Sequence, residues 1–82
     1  MRLDKYLKVS RLVKRRTIAN ALCDAKHVEV NSKPARASYE VKPGDEITIS
    51  VGVHRTRARV LNVSEHATKE SAAGMFEVLE QL

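Results

Sequence analysis

Apolar positions recur along this chain with two periods, and the switches between them predict its layout. Leu3, Tyr6 and Leu7 return at helical spacing with Lys5 and Lys8 off the stripe, which predicts a first helix from Leu3 to about Ser10. Asp4 near its start suits the positive end of a helix. Ser10 and Arg11 interrupt the pattern, and Leu12 and Val13 are placed to plug the core at the elbow. Thr17 reads as an N-cap, followed by Ile18, Ala21, Leu22 and Ala25 on one face, so a second helix is expected from Arg16 or Thr17 to Ala25.

The period then shortens. Val28 and Val30 flank Glu29 in strict alternation, a short strand. Asn31-Ser32 is a turn, with Asn able to take a positive φ. Lys33 to Ala37 returns as a second strand, which Pro34 confines to an edge because proline has no N–H to donate. Pro43-Gly44-Asp45 is a strong turn signal. Ile47, Ile49 and Val51 alternate with Thr48 and Ser50, Gly52 opens a turn, and a longer strand runs from His54 to about Val63. There Thr56, Ala58 and Val60 share one face and Arg55, Arg57 and Arg59 the other; Leu61 and Val63 then fall on the arginine side, which calls for a bulge or for burial on both faces.

Beyond Lys69 both periods coexist. Ala72, Met75, Phe76 and Leu79 fit a helix, although Gly74 sits inside it, while Phe76 and Val78 also alternate as an edge strand would. The expected fold is α+β: two N-terminal helices packed on a small, mostly antiparallel sheet, with a C-terminal helical or extended segment. No repeat or linker divides residues 1–82, so a single domain is expected.

Size and charge restrict what such a domain does. A chain of 82 residues buries only roughly 60–65% of its unfolded surface, leaving no room for a catalytic domain beside a recognition domain. Apolar runs are too short to cross a bilayer, which needs about 18 residues, and no apolar stretch follows Arg2 as in a secretion signal; a cytoplasmic protein without membrane contact is expected. The net charge of +5 is unevenly spread. Residues 1–36 hold ten Lys or Arg against three acids, and residues 37–82 five against seven. A surface that merely keeps the chain soluble mixes the signs, so this asymmetry points to a polyanionic partner met by the first half.

The candidate contacts are Arg2, Lys5, Lys8, Arg11, Lys14, Arg15 and Arg16, with Lys33 and Arg36 extending the footprint beyond the hairpin. Arg15 and Arg16 fall at the start of the second helix, where unsatisfied N–H groups and the helix dipole favour a phosphate. Arg2 adds a planar fork suited to phosphate oxygens. Asp4 reads either as an orienter of Arg2 or as a helix-start residue. The Arg55, Arg57 and Arg59 stripe reads as a solvent-facing strand or as a second contact. Tyr6, Tyr39 and Phe76 are the only aromatics, and Tyr6 and Phe76 lie on apolar stripes, so no platform for stacking bases is expected; folded RNA, recognised by phosphate position and shape, suits this composition better than single strands. His27, His54 and His66 lack metal-ligand spacing, the lone Cys23 reads as a small core residue, and no nucleophile stands at a recognisable spacing from a base. Neither a metal, a cofactor nor an enzymatic activity is expected.

The runs RLDKYL, RLVKRRTIANALC and VEVNSKPARASYEVKPGDEI resemble the alpha-L RNA-binding domain, the family named after the fourth protein of the small ribosomal subunit. The likeness extends from Arg2 to about Val51 by motif and is strongest to the stand-alone bacterial RqcP type, through KVSRLVKRRT and the segment around Met75-Phe76. The chain departs from the family pattern at Lys26, where glycine is usual, and at Ser32, where the family favours glycine after asparagine. The resemblance implies a role in ribosome-associated quality control. Such a factor binds the obstructed large subunit through ribosomal RNA and peptidyl-tRNA and supports an RqcH-like factor that adds C-terminal alanines; separately, no large apolar interface is apparent in the sequence, and a monomer is expected. The alternative within the family is the heat-shock-type binder of large subunits carrying peptidyl-tRNA.

Overall fold

The computed structural model describes Met1–Gln81. Three helices accompany one antiparallel sheet among these residues: α1 (Leu3–Val9), α2 (Arg16–Asp24), β1 (Val28–Val30), β2 (Lys33–Pro34), β3 (Glu46–Val51), β4 (His54–Val60), α3 (Lys69–Ala73) and β5 (Phe76–Gln81). The strands lie in the order β2-β1-β3-β4-β5, and every neighbouring pair is antiparallel. The α+β expectation holds.

α1 forms where the apolar spacing places it. Leu3, Tyr6 and Leu7 are fully buried, and the Tyr6 hydroxyl donates to the Met75 carbonyl at 2.7 Å, tying α1 to the far end of the chain. Burial pushes the Tyr6 phenol well above its ordinary pKa. The start of α1 is closed by the segment between β2 and β3: the Leu3 amide donates to Tyr39 O at 2.8 Å and the Asp4 amide to Ala37 O at 3.2 Å. Val13 is buried at the elbow, with Leu12 packed beside it.

α2 is rotated from its expected setting. Ala19 and Cys23 are its buried residues, whereas Ile18 stays 47% exposed and Ala21 and Ala25 face outward. The helix buries the small side chains Ala19 and Cys23, with Leu22 packed beside the core; a stripe drawn through Ile18 and Ala21 does not anticipate that setting. Thr17 is also not the N-cap. Arg15 holds that position with extended backbone, one full residue before the helix.

Both long helices end on a cation in the left-handed region, Arg11 at φ 67° and Lys26 at φ 63°. After α2, Lys26 N–H bonds Cys23 O at 3.0 Å and His27 N–H bonds Leu22 O at 2.9 Å, the paired contacts of a Schellman termination. Lysine therefore closes the helix as glycine would, at a backbone cost of about 1–2 kcal/mol. Asn31 (φ 54°) and Ser32 (φ 71°) both take positive φ, the pattern of a type I′ hairpin. Asn31 also holds the hairpin to β3 by accepting from the Glu46 amide at 3.0 Å and donating to Asp45 at 3.1 Å.

Two strand boundaries differ from expectation. β2 stops at Pro34, and it lies at the sheet edge, as proline requires. β4 stops at Val60; the bulge sits between β4 and β5, where Arg57 pairs Glu80 and Ala58 pairs Val78, leaving Leu79 as the extra residue. Leu61 is half exposed and needs no second buried face. The C-terminal segment uses both of its periods in turn. α3 begins with a Thr68–Ser71 capping box and closes at Gly74, after which β5 joins the sheet edge.

Candidate nucleic-acid interface

Asp4 is the centre of the charged surface formed by α1 and α2. Its carboxylate is 2% exposed yet accepts from the Lys5 amide at 2.8 Å, from Arg2 Nε at 3.2 Å, from Asn20 Nδ2 at 3.3 Å, and pairs Arg16 Nε at 3.4 Å. Burial alone would raise its pKa; the bonds from Asn20, Arg2, Arg16 and the Lys5 amide outweigh that and hold it below the ordinary value. Arg2 comes from the residue before α1, and Arg16 and Asn20 from one turn of α2. The two guanidinium groups are thereby fixed side by side while about half of each side chain stays exposed.

The ends of the two helices differ in what they offer. The first amides of α1 are consumed by Tyr39 and Ala37. Arg15 supplies no side-chain cap to α2, so the first-turn donors of that helix stand open beside Arg15 and Arg16. The positive helix end, two exposed arginines and the Asp4-anchored Arg2 converge on one edge, the combination that suits a phosphate oxygen.

The remaining expected contacts fall into separate groups. Lys8, Arg11 and Lys14 surround a shallow depression of about 340 Å³ at the elbow, with Val13 at its base. Lys33 and Arg36 are exposed on the return arm of the hairpin; Arg36 faces α2 across a groove, and Lys33 lines a separate depression with Val30, Asn31 and Tyr39. Among the described residues, Lys8, Arg11, Lys14, Arg15, Lys33 and Arg36 form no ion pair. Lys5 is different: its amine pairs with Glu65, which holds that carboxyl below its usual pKa, so its charge is already compensated.

The arginine stripe of β4 is compensated as well. Arg57 bonds Glu46 at 3.0 Å, Arg59 reaches Glu46 and Glu77 at 3.7 Å, and Arg55 lies 3.9 Å from Glu80. These acids come from β3 and β5 on either side. The stripe is an interstrand charge ladder over the sheet, with buried Thr48 paired opposite Arg57.

One contributor, Asn20, escapes sequence reading, while Cys23 is the core residue expected. Asn20 lies 16 residues from Asp4, and only the α1–α2 crossing brings them together. Cys23 lines the groove beside α2 from within the core; burial first, and then the Asp4 and Asp24 charges, push its thiol up to about 11. Its helical placement marks it as an inert core thiol. Among the described residues no three of His, Cys, Asp and Glu gather closely enough to hold a metal ion.

A helix pair fixed on the edge of a small antiparallel sheet, with its cations on the helices, defines an RNA-binding module of the S4 type. The S4 domain family model matches residues 1–47, and the chain belongs to that family. Within it, full-length relatives carry a more particular name. The chain is 44% identical over 81 residues to the RQC P-site tRNA stabilizing factor of Bacillus subtilis (strain 168), covering 99% of this chain and 94% of that protein. The factor of the same name from Streptococcus pneumoniae is 42% identical over 99% of this chain and 92% of its own. Among solved structures, the trimeric Heat Shock Protein 15 of Vibrio cholerae superposes with a TM-score of 0.87 at 25% identity, covering 95% of this chain and 80% of that one. The solution structure of the hypothetical protein HP1423 gives 0.83 at 29% identity, with 98% of each chain covered.

Proposed function

We propose that this protein is an RNA-binding factor of bacterial ribosome-associated quality control. It docks on the obstructed large ribosomal subunit through ribosomal RNA, holds the peptidyl-tRNA in the P site, and supports an RqcH-like factor that extends the stalled chain with alanines. It works in the cytoplasm as a monomer and carries out no reaction itself. The observation that carries this reading is the Asp4-anchored pair of Arg2 and Arg16 beside the open start of α2. Two guanidinium groups whose orientation is set before binding present a fixed spacing to phosphates and lose less entropy on contact. The full-length relatives named for P-site tRNA stabilisation supply the context. Their 42–44% identity, against 25% for the heat-shock protein, favours this role over the heat-shock type.

The test is sedimentation of tagged protein from lysate with and without induced stalling. Wild-type protein is expected with large subunits, enriched on stalling, and Arg16→Glu protein is expected in the free fractions. Purified binding should weaken steeply with salt, by about 0.7–0.9 in log–log slope per phosphate neutralised. Wild-type protein migrating free of large subunits in both conditions would refute the reading.

A further inference from the structure

Across the groove from Arg36 stands a cation that the helix pattern gives no reason to expect. The groove, about 510 Å³, runs between the C-terminal half of α2 and the segment after β2; Asn20, Asp24 and Lys26 line one wall, Pro34 and Arg36 the other, and Arg2 its end. Lys26 is exposed and sits at φ 63°, where a side chain is strained and glycine is not. Among the described residues neither Lys26 nor Arg36 forms an ion pair, although Asp24 lines the same groove. By contrast, every arginine of β4 is matched by an acid. The groove also continues from Arg2, whose guanidinium Asp4 holds in place.

We infer that this groove is a second backbone-binding track, in which Lys26 and Arg36 grip RNA phosphates from opposite walls and carry the strand on from the Arg2–Arg16 edge. This inference rests on the RNA-binding reading above and adds to it a track and a residue, Lys26. A long ammonium side chain at the end of α2 also offsets the negative helix terminus and Asp24, both of which would otherwise repel a phosphate there. The ligand chemistry is an RNA phosphate, which either ribosomal RNA or tRNA supplies.

The decisive variant is Lys26→Gly, because it separates binding from folding. Glycine relieves the left-handed backbone, so the variant is expected to melt at the same temperature as wild type or a few degrees higher. Its affinity for purified large subunits is expected to fall several-fold, with the log–log salt slope reduced by about 0.7–0.9, one phosphate contact. Lys26→Arg should retain both affinity and slope, and Arg36→Gln should lose them as Lys26→Gly does. Comparing vacant subunits with subunits carrying P-site tRNA assigns the phosphate. A loss in both places it on ribosomal RNA, and a loss only with tRNA present places it on the tRNA. Wild-type affinity and slope in Lys26→Gly overturn the track while leaving the Arg2–Arg16 reading intact. Failure of the wild-type protein to bind either particle overturns both.

Discussion

Arg16 Nε lies 3.4 Å from Asp4 Oδ2, so the residue that opens α2 is held by a carboxylate buried in the first turn of α1. That contact makes the cationic edge a property of the helix crossing and not of any one helix. Replacing Asp4 with alanine removes the acceptor for four donors at once. Stability should fall by about 1–3 kcal/mol, the usual cost of unpairing a largely buried polar group. Affinity for large subunits should fall as well, because Arg2 and Arg16 lose their shared anchor. Denaturant unfolding read beside particle binding checks both; unchanged affinity in a folded Asp4→Ala protein would show that the arginines need no positioning.

The same carboxyl gives the fold an acid limit. Its pKa is lower in the folded than in the unfolded chain, so the unfolded state binds the proton more tightly. The stabilisation is fully present above the unfolded value, near 4, and is lost as pH falls through the folded one. The stability difference between wild type and Asp4→Asn should therefore be largest at neutral pH and shrink below about pH 4. Urea midpoints for both proteins across that range measure it.

Charge reversal should separate the two arginine groups. Arg55→Glu, Arg57→Glu and Arg59→Glu together set like charges against Glu46, Glu77 and Glu80, destabilising the sheet by roughly 0.2–1 kcal/mol per pair. RNA binding should survive in the folded fraction. Arg16→Glu also sets a carboxylate beside buried Asp4 and costs some stability, but its affinity should fall even in the folded fraction. Loss of particle binding in the triple variant with Arg16→Glu unaffected would move the interface to the sheet.

Tyr6→Phe tests the link between α1 and the C-terminal segment. Met75 O also accepts from the Leu61 amide at 2.8 Å and the Asn62 amide at 3.2 Å, so it stays satisfied without the phenol. The cost should be at the modest end, about 1 kcal/mol, or roughly 4–8 °C in melting temperature. A drop well beyond that would mean the hydroxyl orders the whole 61–75 segment.

Ser32→Gly is the complement to the lysine variant. Ser32 has φ 71° in the β1–β2 hairpin and makes no side-chain hydrogen bond among the described residues. Glycine there should add up to about 1 kcal/mol of stability with no change in RNA affinity. Thermal melts and particle binding report the two effects separately.

The legible parts of this molecule were those set by local spacing. The Leu3–Tyr6–Leu7 stripe, the Val28–Val30 alternation and the Pro43-Gly44 turn each express a rule that acts over a few residues, and each appears as read. Thr17 misled as a cap because a good capping side chain does not fix the helix start when Arg15 already supplies the extended backbone. Apolar spacing favours Ile18, Ala21, Leu22 and Ala25 as the buried face of α2, whereas the crossing buries Ala19 and Cys23. The candidate site was legible as a set of cations and not as an arrangement. Glu65 neutralises Lys5 from 60 residues away, and Glu46, Glu77 and Glu80 reach the β4 arginines only through strand register. Asn20 carries no local mark of its bond to Asp4.

The Tyr6 bond to Met75 spans 69 residues, whereas the Asp4–Asn20 bond spans 16. Loop closure costs more, and comes later, for contacts distant in sequence. The Asp4-anchored cationic edge is thus a nearby assembly within the chain, and the core is sealed by the segment around Met75. During synthesis the helix pair can leave the exit tunnel while β5 is still untranslated, so the newborn chain displays its cations before its sheet is complete. Pulsed hydrogen exchange, read at the α1–α2 amides and at the β4–β5 ladder, would time the two events.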